Sequence, residues 1–468
     1  MLETINNALS KINELVWGMP LVIFILCTGL FLTVRLKGVQ IRKLPLAFKK
    51  MFAKDSNGKN GEVSSFGALC TALSATIGTG NIVGVATAMV AGGPGALFWM
   101  WIAALVGMAT KYSECLLAVK FRRVSEDGHV VGGPFCYIED GLGKRWKWLA
   151  KIFAAFGVLV GLLGIGTFSQ VNGIATAVNG FFDSDNSWSV SIFGRDYSWT
   201  VVIAAIVITI GVAMVLIGGI KRISSVAQVF VPFMAITYVV LSLIIIALNI
   251  EKVPQAFATI VKSAFGLRAV GGGILGAMIV AMQKGISRGI FSNEAGLGSA
   301  PIAAAAAQTD EPAKQGLVSM LGTFIDTIVI CTMTGLIIVV TGAHELGLEG
   351  VAVTTKAFQL GLPFPDSVAS CLLMFCLIFF AFTTILGWNY YSERCLEYLS
   401  GGKMKLVMVF RIAYIACVFF GPFMTISAVW TIADIFNGLM AIPNLIAVLG
   451  LNGVVVSETK KYFSSLKK

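Results

Sequence analysis

Long apolar runs separated by short polar or basic stretches set the pattern of this chain. Eleven runs are charge-poor: residues 16–34, 66–90, 96–119, 149–177, 200–217, 226–248, 271–307, 317–340, 368–388, 406–420 and 425–449. A helix crosses a bilayer with about 17 to 25 apolar residues. Outer-membrane strands would be about ten residues long with alternating polarity, which these unbroken Leu, Ile, Val and Ala stretches are not. The pattern therefore predicts an all-α integral membrane protein with 11 transmembrane helices. The first run does not read as a cleaved signal, because Glu3 and Glu14 precede it and a basic stretch follows.

Two runs, the second and the seventh, carry small and polar residues in mid-span. The first break is Ile77-Gly78-Thr79-Gly80-Asn81, and the second extends from Phe291 through Ser292, Asn293 and Glu294 to Gly298. Non-helical backbone at membrane depth is tolerated only where protein encloses it or it lines a cavity. Each break opens a block of five runs, and an odd count gives the two blocks opposite orientations. That is the five-plus-five inverted repeat of secondary transporters, with two broken helices meeting at the midplane. The expected organisation is an extra N-terminal helix and basic loop over 1–60, a first repeat over 61–250, an inverted second repeat over 251–455, and a basic tail over 456–468.

Composition agrees: 57% of the 468 residues are hydrophobic and 13% charged, against roughly a quarter charged in soluble domains. The net charge of +11 is topology information rather than a sign of a nucleic-acid partner. With the N-terminus outside and the C-terminus cytoplasmic, the inner segments hold 25 of the 35 basic residues and the outer ones six. The expected location is the plasma (inner) membrane, with the basic loops facing anionic lipid headgroups of the bilayer. The nine cysteines lie mostly within apolar runs and form no CxxC pair, so they read as packing residues. With two histidines and no P-loop, neither a metal or haem cofactor nor ATP hydrolysis is indicated. No nucleophile with a base, and no carboxylate pair, stands at catalytic spacing, so an enzyme is not expected.

The residues Gly78-Thr79-Gly80-Asn81-Ile82, Gly92-Gly93-Pro94-Gly95, Ala109 to Glu114, Gly132-Gly133-Pro134, Ser292 to Pro301 and Ile442-Pro443-Asn444 resemble the alanine or glycine:cation symporters, also called sodium:alanine symporters. The likeness spans nearly the whole chain. It implies the leucine-transporter-like fold and import of a small amino acid, alanine or glycine, together with sodium, by a single chain. Glycines 78 and 80 expose backbone amides at a half-helix start, an end that favours an anion. Thr79 and Gly80 are thus expected to hold the substrate carboxylate, unless the glycines serve only a close helix crossing. Phe291, Asn293 and Gly296 are expected to meet the ammonium group. Gln170, beside Asn172, matches a polar position of the family's third core helix, though an interhelical hydrogen bond is the alternative. Thr383 and Thr384 resemble a sodium-binding hydroxyl pair facing carbonyls of Ser74 and Ile77, and Asn81 an amide ligand of a second sodium site. Adjacent helical threonines are otherwise more often back-bonded to the preceding turn. Trp388, one turn after Thr384, either walls the pocket or belongs to the core.

Three acidic residues stay open at this level. Asp326, read as a lone intramembrane carboxylate, binds a cation or proton or accepts hydrogen bonds from neighbouring hydroxyls. Glu294 serves the site or pairs with Lys284 or Arg288. Asp434 lies close enough to the outer interface to need no partner. Proton coupling, and more remotely an ion channel, are the competing functions.

Overall fold

The computed structural model describes residues 2–53, 61–124, 129–192, 195–266, 273–424 and 426–466, with the side chains of 2–6, 192, 274 and 426–430 excepted. The expected run starts at 271 and 425, and the basic positions Lys54, Lys59, Arg268, Lys467 and Lys468, lie outside the described residues. The rest is a helical bundle. Its principal helices are α1 (Met19–Arg35), α2 (Ser65–Thr76), α3 (Val85–Gly92), α4 (Ala96–Lys120), α5 (Lys147–Leu163), α6 (Phe168–Phe182), α7 (Trp199–Leu216), α8 (Gly219–Leu248), α9 (Ile274–Asn293), α10 (Ala300–Ala305), α11 (Pro312–Thr323), α12 (Thr332–Thr341), α13 (Asp366–Ser400), α14 (Met404–Phe420) and α15 (Ile426–Gly450). Among the described residues nine helices are long and apolar enough to cross a membrane, or ten when the bent pair of residues 65–76 and 80–92 counts as one.

Burial sorts these helices into an inner and an outer set. In α4 83% of the most apolar window is buried, against 28% in α7. The outer helices turn large apolar side chains outward at helical spacing: Ile203, Val207, Ile210 and Met214 on α7, and Val229, Phe233, Ile236, Val240 and Leu243 on α8. Such stripes would be aggregation-prone in water and are the normal solvent face in lipid.

The two expected breaks are present. Helix α2 opens on a Ser64 cap, whose hydroxyl accepts from Gly67 N at 3.0 Å, and stops where Ile77 turns extended at ψ 95°. A π-helical turn, Gly80–Gly84, then starts the second half-helix, with a bend of 53° across the break. The seventh run is helical as α9 and the short α10 around an irregular stretch, residues 294–299. Glu294, Gly296 and Gly298 there have φ of 56°, 91° and 80°. Glycine adopts this conformation without cost, whereas a glutamate at φ 56° is strained and needs compensating contacts.

One difference from the sequence reading is a third break. The run 149–177, expected as one helix, is split into α5 and α6 at Gly164-Ile165-Gly166-Thr167. Gly166 lies so close to α13 that a Cβ there would meet that of Trp388 at 2.8 Å. The orphaned carbonyl of Gly166 is taken by Tyr414 Oη at 2.7 Å.

Candidate functional site

The first break is the point on which the other inner helices converge. A Cβ on Gly78 would fall 2.5 Å from Thr384 Oγ1 and 3.0 Å from Gln170 Oε1, and one on Gly80 would fall 3.3 Å from Phe291 Cδ1. Thus α6, α9 and α13 approach the same short stretch, and the space is available because Gly78 and Gly80 lack side chains. Thr384 Oγ1 donates to Ile77 O at 3.2 Å and also to Phe380 O of its own helix at 3.0 Å. Thr79 N donates to Gln170 Oε1 at 3.1 Å. That amide was expected to receive a carboxylate, so Gln170 presents an oxygen where the anion would be held. Thr79 Oγ1 is buried without a hydrogen-bond partner among the described residues. Gly78 N is capped by Asn81 Oδ1 at 2.9 Å.

Asp326 joins the two breaks. It sits in a π-helical stretch, Phe324–Cys331, which carries its carboxylate to the point between them. Asn81 Nδ2, from the first break, donates to Oδ1 at 2.7 Å. Ser292 Oγ, from the second, donates to Oδ2 at 2.8 Å, as does Thr327 Oγ1. Three donors on a wholly buried carboxylate satisfy most of its hydrogen-bonding capacity. Asn293 continues the network: its Nδ2 donates to Thr327 Oγ1 at 3.0 Å, and its Oδ1 accepts from Ala295 N at 2.9 Å.

Other expected residues fall elsewhere. Thr383 Oγ1 is back-bonded to Phe379 O and Phe380 O, both at 3.1 Å, and faces Met234 Sδ at 3.6 Å, not the Ile77 carbonyl that Thr384 reaches. Ser74, expected to offer its carbonyl, stands in the last turn of α2 before the break, with its hydroxyl on Thr71 O at 2.8 Å. Gly296 O accepts from Asn444 Nδ2 at 2.9 Å. Trp388 is fully buried, and its Nε1 donates to Glu294 Oε1 at 2.8 Å. Glu294 also takes Ser299 Oγ at 2.5 Å, and among the described residues these contacts, rather than Lys284 or Arg288, are its partners. These two contacts compensate its left-handed backbone. Arg288 is instead bidentate to Asp434, 2.8 Å to each oxygen, and Asp434 is buried rather than interfacial. Asp326 is not alone either: the fully buried Glu294 lies within electrostatic reach of it, and Glu114, also fully buried, shares with both the buried Lys111. The sequence reading named Glu114 only as the end of the motif Ala109 to Glu114 and gave it no role, because its partners lie far along the chain: Asn444 is 330 positions away.

The two ends of the bundle differ. A cavity of about 520 Å³, lined by Val83, Gly84, Asn172, Gly173, Arg288 and Glu349 among others, opens at the Gly92 end of α3, opposite the basic loop that follows Lys120. It leads to Gly173, whose Cβ would meet Thr79 Cγ2 at 2.6 Å. At the basic-loop end, the chain entering α2 is bound to the chain leaving α10. Glu62 N and Val63 N donate to Ala306 O at 2.8 and 3.1 Å, and Gln308 N to Val63 O at 2.7 Å. Arg122 Nη1 clamps the carbonyls of Ala305 and Ala307 at 3.0 and 2.6 Å.

His129 ties a second layer across this end. Its Nε2 lies 2.8 Å from Glu397 Oε1, and its Nδ1 3.4 Å from Glu62 Oε1. Arg394 Nη1, itself 2.7 Å from Glu397 Oε2, lies against the ring and opposes its charge. The hydrogen bonds to Glu397 and then Glu62 outweigh this and raise the imidazole pKa from 6.5 to about 9. A raised histidine contributes stability that is fully present below about pH 6.5 and lost as pH rises through about 9. Raising pH from 7 to 10 is accordingly expected to lower the melting temperature of the native protein more than that of His129→Gln. Equal shifts in a thermal melt would contradict the clamp.

Comparison with known proteins identifies the family. The sodium:alanine symporter family profile covers residues 2–468. The chain is 46% identical over 469 residues to the sodium/alanine symporter AgcS of Methanococcus maripaludis, covering 99% of this chain and 98% of that one. It is 37% identical to the probable sodium/glutamine symporter GlnT of Bacillus subtilis, over 99% of this chain and 91% of the relative. Among solved structures, MhsT in complex with L-phenylalanine aligns with a TM-score of 0.56 at 15% identity, over 87% of this chain and 99% of that one, which shows the leucine-transporter-like fold. The chain therefore belongs to the sodium:alanine symporter family, a multi-pass membrane protein that works by cation-coupled amino-acid symport and not by catalysis.

Proposed function

We propose that this protein imports alanine or glycine together with sodium, by alternating access about the two broken helices, which head oppositely oriented five-helix repeats. The observation that carries the reading is the convergence of Ile77 O, Thr384 Oγ1, Gln170 Oε1 and Phe291 around Gly78-Thr79-Gly80. Sodium wants several oxygen ligands, and the Ile77 carbonyl with the Thr384 hydroxyl supplies two of them. The Ser74 carbonyl, in the last turn of α2, is a third, and Thr383 contributes only after moving from its present partners. The substrate carboxylate displaces Gln170 Oε1 from the Thr79 amide, and Gly80 leaves room for it against Phe291. A small side chain suits a site this closely packed. The vestibule toward Arg288 and Glu349 is the outside entry, and the bound basic-loop end is the closed cytoplasmic gate, with the N-terminus outside.

The assignment of the carboxylate is tested by competition against labelled alanine uptake in proteoliposomes. Glycine, which keeps both charged ends, is expected to compete, and alaninamide, which lacks the anion, is expected not to. Competition by alaninamide as strong as that by glycine would overturn the role of Thr79 and Gly80.

A further inference from the structure

Beneath the second break lies a cluster of ionisable groups that the transport site does not use. Lys111 and Glu114 are three residues apart on α4, hence on one face, and both are at most 1% exposed. Asn444 Nδ2, from α15, donates to Glu114 Oε1, and Tyr137 Oη donates in turn to Asn444 Oδ1. The amides of Gly296 and Gly298 are directed at the same carboxyl group. Glu114 Oε2 has no hydrogen-bond partner among the described residues, and neither does Lys111 Nζ nor the nearby Tyr391 Oη.

Charge makes this arrangement informative. The carboxylates within electrostatic reach of Lys111 are Glu114, Glu294 and Asp326, all fully buried. Cys115 on α4, Tyr137, Tyr391 on α13 and Cys331 beside Asp326 are the other titratable groups facing them. Asp326 and Glu294 have donors on both carboxyl oxygens, so both are dressed as anions, whereas the partners of Glu114 leave its Oε2 bare. One ammonium cannot balance three anions in a site sealed from water, where an uncompensated charge is strongly unfavourable. A metal ion is a poor remedy, since the ammonium would repel it and no three-residue metal-binding group occurs among the described residues. A proton needs only one oxygen, and Glu114 Oε2 is the oxygen without a donor.

We infer that Glu114 is a proton-binding site: in this conformation it is a carboxylic acid with its proton on Oε2, and it holds the Gly296–Gly298 turn in that form. Loss of the proton to water leaves an anion that draws the amides of Gly296 and Gly298 more strongly and adds a third negative charge around Lys111, so occupancy of this site is linked to the geometry of the second break. This holds whichever amino acid is carried.

Infrared difference spectroscopy on the full-length protein in liposomes tests it, across a pH titration in H2O and D2O. The native protein is expected to show a protonated carboxyl stretch that shifts on deuteration. The band is expected to be absent in Glu114→Gln and kept in Asp326→Asn. Lys111→Met, which removes the nearby positive charge, is expected to keep the band to more alkaline pH than the native protein, and it carries the test should Glu114→Gln fail to fold. No such band in the native protein, its survival in Glu114→Gln, its loss in Asp326→Asn, or a Lys111→Met titration identical to the native one would each overturn the proposal.

Discussion

Asp326→Ala is expected to abolish uptake and to destabilise the protein by about 3 to 5 kcal/mol. The substitution strands Asn81 Nδ2, Ser292 Oγ and Thr327 Oγ1, all of which end on this carboxylate. A buried donor without an acceptor costs about 1 to 3 kcal/mol. The two hydroxyls can turn to backbone carbonyls and recover part of that, whereas the Asn81 amide is held by Gly78 N on its other side. Function falls further than stability, because the carboxylate is the direct link between the first and second breaks. Uncoupling them is expected to lower the initial rate of uptake at least about a hundredfold, equivalent to about 2.8 kcal/mol. Asp326→Asn separates shape from charge: it keeps one acceptor oxygen, so it should fold, with uptake between that of the native protein and Asp326→Ala. Initial rates normalised to folded protein decide this. Uptake by Asp326→Ala within twofold of native would remove Asp326 from the transport machinery.

How far the fold and site were legible in the sequence depends on the range of the interactions involved. The helices were legible because membrane crossing imposes a length and an apolar composition on each segment separately. The breaks at Gly78-Thr79-Gly80 and around Glu294 were legible because polar and glycine residues interrupt otherwise apolar runs. The break at Gly164-Ile165-Gly166-Thr167 was not, since two glycines flanking isoleucine in an apolar helix equally describe a close helix crossing. Pairings distant in sequence were also hidden. Arg288 and Asp434 are separated by 146 positions and His129 and Glu397 by 268, and no local pattern connects them. Thr383 and Thr384 show the same limit at short range: adjacent positions on a helix point about 100° apart. Only Thr384 faces the Ile77 carbonyl, while Thr383 faces Met234. The notion of Asp326 as a lone carboxylate failed because Glu294 comes within reach of it, and Lys111 of both, only once α4 and the second break are packed together.

Sodium dependence is the largest effect the account requires. If sodium is bound by the Ile77 carbonyl and the Thr384 hydroxyl, closure of the site needs the ion, and no gradient of another cation replaces it. Thr384→Val keeps the shape of the side chain and removes one ligand oxygen, so it is expected to raise the sodium concentration for half-maximal uptake about tenfold or more, each 1.4 kcal/mol of lost binding being one decade. Loss of only its back-bond to Phe380 O costs about 1 kcal/mol or less of stability and leaves the sodium requirement unchanged. The deciding measurement is uptake of labelled alanine into proteoliposomes under an imposed inward sodium gradient, with choline replacing sodium at fixed pH and membrane potential. The account predicts accumulation with sodium, none above background with choline, and a right-shifted sodium curve for Thr384→Val. Equal uptake in sodium and in choline would contradict it.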